Sequence, residues 1–115
     1  MKKKIIIGLT ENLIIVKANK HHSIKARIDT GAIKSSLDKN LAKKIGLGPT
    51  IARRMFKSAF GNSKRPIVTA NIELAGKKVF KAEFSLADRS NMTYKALVGQ
   101  DILKKGFLID PSKTT

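Results

Sequence analysis

The chain has 115 residues and a formal net charge of +16, which arises from 24 Lys and Arg residues against 8 Asp and Glu residues. With 42% hydrophobic and 28% charged residues, the composition excludes a disordered chain, and the length predicts one domain over residues 1–115 with a flexible tail from about residue 111. The lack of cysteine excludes disulfide bonds and zinc sites built on cysteine.

The first part of the chain predicts three strands. Short apolar runs at residues 5–9 and 13–16, separated by a polar turn, predict a hairpin. Residues 19–23 are polar and predict a loop. Apolar and charged residues alternate over residues 24–29, and this period of two predicts a half-buried third strand.

A helix is predicted over residues 37–45, because apolar side chains recur there every four positions. Ser36 or Asp38 can cap its first turn, since both side chains accept hydrogen bonds from backbone N–H groups. Gly46 can end the helix in a left-handed conformation.

The second part of the chain predicts five more strands and one short helix. The strands cover residues 51–59, 67–74, 79–86, 96–98 and 107–109, and the helix covers residues 101–105. Residues 60–63 form the turn of a hairpin, and the alternation over residues 79–86 places Phe80 and Phe84 on the same face. Strands dominate without β-α-β alternation, so the fold class is mostly β, a small closed antiparallel β-barrel with one main helix.

The segment Asp29-Thr30-Gly31-Ala32 places a carboxylate, a hydroxyl and a glycine directly at the end of the third strand. Two carboxylates held close together cannot both ionise, so they share a proton and can activate one water molecule. The segment therefore suits an aspartic peptidase, and because it occurs once, a second copy of the chain must supply the second carboxylate. On these residues alone, an ordinary turn after a strand remains the alternative.

Three segments resemble the retropepsin-like aspartic proteases. Residues 26–37, which include Asp29-Thr30-Gly31-Ala32 and Ser35-Ser36-Leu37, resemble their catalytic loop. Residues 96–103 resemble their strand of hydrophobic residues ending in glycine, with the helix that follows. The hairpin tip Phe60-Gly61-Asn62 lies where their flap is expected.

The likeness is closer to a bacterial and archaeal group labelled ATP-dependent zinc proteases and linked to RimK-type ligases. It spans about residues 5–110 and rests on four segments in order, residues 29–32, 60–66, 88–92, and 97–103 together with 107–110. The chain contains neither an HExxH motif nor a P-loop. We therefore expect no ATP, no zinc or other metal and no cofactor, and we take only the fold and the dimeric aspartic chemistry from this resemblance.

The resemblance implies a retropepsin barrel with a flap hairpin, and a homodimeric aspartic endopeptidase that hydrolyses extended polypeptides. Asp29 is then the catalytic residue, paired with Asp29 of a second copy, one carboxyl group ionised and the other protonated. Three neighbours support the catalytic loop: Thr30, Gly31 and Ala32. Four residues contact the peptide substrate: Phe60, Gly61, Asn62 and Leu97.

Two positions depart from the retroviral members of the family. Many of those members carry an acid just after the Asp-Thr-Gly-Ala segment, where this chain has Ile33. They also carry an arginine after the glycine of the second motif, the segment at residues 96–103, where this chain has Gln100. Because both members of the ion pair are replaced together, no unpaired buried charge is left behind.

Two other functions stay open on the sequence, a non-catalytic peptide-binding or dimerisation module on the same fold, and a basic protein associated with nucleic acid or the ribosome. The charge favours negatively charged partners, including acidic peptides. Only 5% of residues are aromatic, so few rings are available to stack bases, and solvated lysines are favoured over a nucleic-acid face. His21 and His22 lie in a polar, basic segment and predict solvated side chains, not metal ligands.

The sequence also predicts where the protein resides. Residues 1–7 begin like a signal peptide, but the apolar run ends before Thr10 without a cleavage site. No segment reaches transmembrane length. We expect a cytoplasmic protein without a membrane partner.

Overall fold

The computed structural model describes residues 3–59 and 61–113, and for Ser58 the backbone alone. Within these residues, no helix is long and apolar enough to cross a bilayer. The elements follow one another as β1 (Ile5–Ile7), β2 (Thr10–Lys17), β3 (Lys20–Ile28), β4 (Ser36–Asp38), α1 (Lys39–Ile45), β5 (Ala52–Ser58), β6 (Gly61–Leu74), β7 (Lys77–Ala87), β8 (Ala96–Val98), α2 (Gln100–Leu103) and β9 (Phe107–Ile109).

Six strands close into a barrel in the order β2-β3-β8-β4-β7-β6, and β6 pairs back onto β2. The pairs β2–β3, β2–β6, β4–β8 and β6–β7 are antiparallel, whereas β3–β8 and β4–β7 are parallel. β5 extends the sheet beyond the barrel by pairing with the first half of β6. The predicted closed, mostly β architecture is therefore confirmed, with two parallel pairings inside it.

The barrel is filled by aliphatic side chains that alternate along the strands. On β2, Leu13 and Ile15 are completely buried, and their neighbours at even positions lie on the outside. Phe84 on β7 and Leu37 on β4 reach the same core and are also completely buried. Alternation with period two is what a strand with one face in a core requires.

β1 does not form the predicted hairpin with β2. It pairs in parallel with β9, in a two-stranded sheet separate from the barrel. β2 instead pairs with β3 across a two-residue turn at Ala18 and Asn19, which have φ values of 51° and 64°. Two consecutive residues with positive φ form the turn of a tight hairpin. Because β3 begins directly after this turn, most of the predicted loop at residues 19–23 is strand.

Glu11 on β2 links the two-stranded sheet to the barrel. This residue is only 6% exposed. One of its oxygens accepts a hydrogen bond from the Gly8 N–H (2.9 Å) and lies 3.8 Å from the Lys113 ammonium. The same ammonium donates to the Ile6 carbonyl at 2.7 Å. Both ends of the described chain therefore meet at one buried carboxylate.

The main helix begins two residues later than predicted. Residues 36–38 form β4, and Leu37 points into the barrel core from that strand. Asp38 caps α1, because its carboxylate accepts a hydrogen bond from the Leu41 N–H at 3.2 Å. Gly46 ends the helix with a φ of 91°, as predicted.

The predicted hairpin of the flap is present, but its second strand is much longer than expected. β6 starts at Gly61, and Asn62 and Ser63 already pair with β5, although residues 60–63 were predicted to be a turn. The predicted tip residue Phe60 lies outside the described residues. Residues 61–64 are all exposed. This part of the strand therefore lacks the apolar alternation from which a strand is predicted.

A bulge interrupts the pairing of β6 with β7. Lys81 has a φ of 55°, and its N–H donates to the Asn71 side-chain carbonyl at 2.9 Å instead of to the strand ladder. The extra residue shifts the alternation, so that Phe80 is 71% exposed while Phe84 is completely buried. The prediction that these two rings share a face is therefore wrong.

Candidate active site

Asp29 follows the last residue of β3 and is held at the end of the barrel by backbone contacts. Its N–H donates to the Val98 carbonyl on β8 at 2.9 Å. One carboxylate oxygen accepts a hydrogen bond from the Gly31 N–H at 2.9 Å, which closes a tight turn. The carboxylate is therefore fixed relative to two strands while its residue stays partly exposed.

The residues after Asp29 form a tight loop around this carboxylate. A β-carbon at Gly31 would lie 3.3 Å from the Asp29 carboxylate oxygen, so glycine leaves room for the turn. The Ala32 N–H donates to the Asp29 carbonyl at 3.3 Å. The Thr30 carbonyl accepts a hydrogen bond from the Gln100 side-chain amide at 2.8 Å, which ties the loop to the start of α2.

The glycine of the second motif lies directly behind the loop. A β-carbon at Gly99 would lie 2.7 Å from the Ala32 carbonyl oxygen and 2.8 Å from the Lys34 carbonyl oxygen. Real β-carbons do not approach backbone atoms so closely, so only glycine allows this packing. The Gln100 N–H then donates to the Ala32 carbonyl at 2.8 Å, which completes the contact between the two motifs.

A buried serine, whose role the sequence reasoning missed, joins the same two segments. Ser35 is completely buried, and its hydroxyl accepts a hydrogen bond from the Gly99 N–H (2.9 Å) and donates one to the Asp101 carboxylate (2.7 Å). The Ser35 N–H donates to the other oxygen of Asp101 at 3.3 Å. The two adjacent serines at residues 35–36 could have indicated this contact, but a serine in a loop is usually exposed to solvent.

The two positions that replace the retroviral ion pair have separate surroundings. Ile33 is 70% exposed, while Gln100 makes the hydrogen bond to the Thr30 carbonyl described above. In this chain, the loop and α2 are therefore joined by a neutral amide and by the serine–aspartate contact.

A cleft of about 480 Å³ lies between the loop and the β5–β6 hairpin. The loop side and the floor of the cleft are formed by Gly31, Ala32, Ile33, Lys34, Ser36, Ser85, Arg89 and Leu97. The hairpin contributes Met55, Phe56, Lys57 and Arg65. The hairpin therefore forms a wall opposite the residues that follow Asp29, while Asp29 and Thr30 do not themselves line this cleft.

The cleft is positively charged. Lys34, Lys57, Arg65 and Arg89 line it, and none of its described lining residues is acidic. The Arg65 guanidinium lies 4.8 Å from the centre of the Phe56 ring, a cation–π contact that holds two residues of the wall together. An extended ligand in this cleft would meet cations on both sides.

Arg89 is the most constrained of these cations. Its N–H donates to the Asp38 carboxylate at 2.8 Å, and its guanidinium donates to the Tyr94 carbonyl at 3.0 Å. Burial lowers the pKa of Arg89, because desolvation disfavours the charged form. The same Asp38 that caps α1 therefore also fixes one side of the cleft.

The substrate-binding residues predicted from the sequence fall in different places. Leu97 lines the cleft beside Gly31 and Ala32. Gly61 and Asn62 are exposed at the hairpin tip, and the cleft is lined instead by residues further down both strands. Sequence reasoning missed Met55, Phe56 and Arg65, because their alternating exposure gives them the pattern of an ordinary surface hairpin.

His21 and His22 are neighbours on β3, opposite Val16 and Ile15 of β2. Successive side chains of a strand point to opposite faces, so the two rings do not converge. Within residues 3–59 and 61–113, no three side chains of His, Asp or Glu gather as a group that could hold a metal ion.

Comparison with known families agrees with this geometry. Residues 14–105 match the model of the family described as gag-polyprotein "putative aspartyl protease". The chain belongs to this aspartyl protease family. The match includes both the loop with Asp29 and the Gly99 segment, which are the two parts of the site that contact each other.

Several proteins related to this member of the family carry the name of a different enzyme. Two proteins named probable alpha-L-glutamate ligase, from Shewanella pealeana and Shewanella halifaxensis, are each 29% identical to it over 96% of the chain. The chain matches only 29% of the length of either ligase. The name of those longer proteins therefore describes much more than the matching segment.

The barrel itself has a counterpart among solved structures. A protein of unknown function (DUF785) from Legionella pneumophila superposes with a TM-score of 0.67 over 96% of this chain and 95% of that one, at 23% identity. This likeness concerns the fold alone.

Proposed function

We propose that the chain is a homodimeric aspartic endopeptidase, with one Asp29 carboxyl group from each copy. One observation carries the proposal. In a member of an aspartyl protease family, Asp29 sits at a strand end, in a turn packed against the Gly99 segment, beside a cleft covered by a hairpin.

The reaction is hydrolysis of a peptide bond by an activated water molecule. The ionised Asp29 takes a proton from water while the protonated copy polarises the scissile carbonyl, and the resulting hydroxide adds to the carbonyl carbon. The proton that the first Asp29 took from water then passes to the amide nitrogen, the C–N bond breaks, and the amine leaves.

The remaining predicted residues support this reaction. Thr30 hydrogen-bonds across the pair of loops, while Gly31 and Ala32 keep the floor of the cleft small. Leu97 contacts a substrate side chain. Phe60, Gly61 and Asn62 close over an extended peptide that binds by backbone hydrogen bonds.

The second copy is supported by exposed apolar side chains on β1, on β9 and at Leu9. Ile6 and Leu108 are register partners on β1 and β9, and they are 52% and 51% exposed. Leu9 is 53% exposed, and its carbonyl accepts a hydrogen bond from the Ile28 N–H, one residue before Asp29. A symmetric partner that covers these side chains would bring its own Asp29 towards the first.

We further propose that the chain belongs to the group linked to glutamate ligases and prefers acidic substrates. The relatives named probable alpha-L-glutamate ligase support the link, because each contains a segment similar to almost the whole chain. The four cations that line the cleft support the preference, since they complement glutamate side chains.

Replacement of Asp29 tests the proposal. Asp29→Asn keeps the shape and the acceptor for the Gly31 N–H but removes the general base, so kcat/KM should fall by about 10²- to 10⁴-fold. The measurement is cleavage of a panel of fluorogenic peptides, acidic, neutral and basic, between acidic and neutral pH, together with the sedimentation coefficient of each variant.

Asp88→Asn is the matched control. Asp88 also accepts a hydrogen bond from the N–H two residues later, and hydrogen bonds from the Ser90 side chain and N–H lower the pKa of Asp88, but it lies in the loop between β7 and β8 and not in the Asp29 turn. The control should cleave like the wild type. If the wild type cleaves no peptide of the panel but binds them as a dimer, the chain is a peptide-binding module; cleavage that survives Asp29→Asn also refutes the proposal.

A further inference from the structure

Lysine side chains converge on one outer side of the barrel, remote in sequence from the Asp29 loop. Lys3, Lys4, Lys77, Lys104 and Lys105 line a cleft of about 250 Å³ in which no described lining residue is acidic. Lys104 and Lys105 also line a neighbouring cleft of about 220 Å³, together with Lys81 and with Lys34, which lines the cleft beside the Asp29 loop as well. We call Lys3, Lys4, Lys77, Lys81, Lys104 and Lys105 the lysine face.

Two acidic residues that line the second cleft are engaged by other side chains. Glu83 lines the second cleft, and its carboxylate pairs with the Arg54 guanidinium at 2.9 Å. Asp101 lines the same cleft, and its carboxylate accepts the hydrogen bond of the buried Ser35 hydroxyl at 2.7 Å. The lysine face therefore keeps an excess of positive charge, which an anionic polymer would neutralise.

An exposed aromatic ring stands at the edge of the lysine face. Phe80 is 71% exposed and lines both the second cleft and a further cleft of about 160 Å³. That cleft also contains His21, Lys78 and one carboxylate, Glu73, which is the register partner of Lys78. The bulge at Lys81 turns the ring outward, and this backbone is fixed by the hydrogen bond to Asn71. A rigid strand thus presents a large apolar side chain among cations.

We propose that the lysine face and Phe80 together bind single-stranded nucleic acid. Phosphates contact the lysines, and an unpaired base stacks on Phe80, which is the combination that sequence-tolerant single-strand binding uses. An acidic polypeptide would be attracted by the lysines, but it has no base to place on the ring. A duplex keeps its bases stacked inside, so a single strand fits this surface better. This function is additional to peptide hydrolysis, and its surface meets the cleft beside the Asp29 loop at Lys34.

Fluorescence anisotropy with a labelled oligouridylate of about 12 nucleotides tests the proposal, because single-strand sites of this kind span about 4–16 nucleotides. The Kd is measured over a range of salt concentrations. Lys4→Gln with Lys105→Gln should weaken binding and reduce the slope of log K against log salt by about 1.4, since each lost phosphate contact contributes about 0.7 on a single strand.

Phe80→Ala should weaken binding by about five-fold or more without changing the salt slope, because stacking involves no counterion release. Two matched controls separate the site from the general charge. Lys43→Gln with Lys44→Gln removes two exposed charges from the end of α1, and Met92→Ala removes an exposed apolar side chain from a loop. Both control variants should bind like the wild type.

Three results would overturn the proposal. The first is an equal loss in the Lys43 and Lys44 double variant, which means diffuse attraction. The second is unchanged affinity in Phe80→Ala. The third is equal competition by polyglutamate of the same charge, which would assign the surface to acidic polypeptides. Asp29→Asn should bind the oligonucleotide normally, so failure here is distinguishable from failure of the peptidase proposal.

Discussion

At the scale of single residues, the Asp29 loop is held by a serine hydroxyl that is completely buried. Ser35 connects the N–H of Gly99 to the carboxylate of Asp101, and these partners lie 64 and 66 residues further along the chain. A hydroxyl can donate and accept at once, which makes serine suitable between an N–H and a carboxylate. The contact joins the two segments that hold Asp29 in place.

Ser35→Ala should lower the free energy of unfolding by about 1–3 kcal/mol, because the buried Gly99 N–H loses its acceptor. Urea denaturation measures the change. Ser90→Ala removes a hydroxyl that bonds to an exposed carboxylate, and it should cost less than about 0.5 kcal/mol. Equal losses in the two variants would show that the buried contact has no special weight.

The position of Asp29 could be predicted from the sequence, whereas the role of Ser35 could not. The alternation over residues 24–28 is a local pattern, and it correctly places a carboxylate at the end of a strand. The hydrogen bonds of Ser35 depend on residues that are distant in the chain, and no local pattern records such a contact. The clustering of four cations in the cleft could not be predicted from the sequence either, because they come from three separate segments.

At the scale of elements, the loop after β3 and the start of α2 act as one unit because Gly99 brings their backbones together. Gly99→Ala places a methyl group against the Ala32 and Lys34 carbonyl oxygens, which are backbone atoms and cannot rotate away. The loop must shift, so kcat/KM should fall at least tenfold, since displacements of about 1 Å can cost 10²-fold. Peptide cleavage well below the unfolding temperature measures the effect.

Gly76→Ala separates loop displacement from general destabilisation. Gly76 lies in the β6–β7 turn with a φ of 82°, and a β-carbon there would meet no atom within 4 Å. The substitution therefore costs about 1–2 kcal/mol of left-handed backbone strain but leaves the Asp29 loop in place. If Gly76→Ala loses as much activity as Gly99→Ala, stability and not loop position explains the loss.

The elements that the sequence predicted wrongly are those with distant or irregular pairing. β1 pairs with β9 across almost the whole chain, so the nearer apolar run at residues 13–16 was the natural but incorrect partner. Leu37 has the spacing of a helix yet lies on β4, because its burial is decided by β7 and β8 on either side. The bulge at Lys81 reversed the predicted face of Phe80, since one extra residue shifts a period of two.

At the scale of the whole molecule, the proposed peptidase is incomplete without a second copy. Leu108→Glu puts a carboxylate in the exposed apolar surface of β1 and β9, so the variant should sediment as a monomer and lose peptidase activity in proportion.

High salt should strengthen dimerisation of the wild type, because a net charge of +16 on each copy opposes association.

Met92→Glu provides the control for Leu108→Glu, since Met92 is similarly exposed (53%) but lies in the loop before β8. It should leave both sedimentation and cleavage unchanged. A Leu108→Glu monomer that still cleaves at the rate of the wild type would contradict the shared pair of carboxylates, as would a wild type that is monomeric and fully active.

The pairing of β1 with β9 has a consequence for the order of events during synthesis. β1 cannot pair until residues 107–109 have been synthesised. The two-stranded sheet therefore forms only when nearly all of the described chain has left the ribosome. If this sheet holds the partner copy, an unfinished chain has no surface with which to pair. The proposed peptidase would then stay inactive at least until residues 107–109 have left the ribosome.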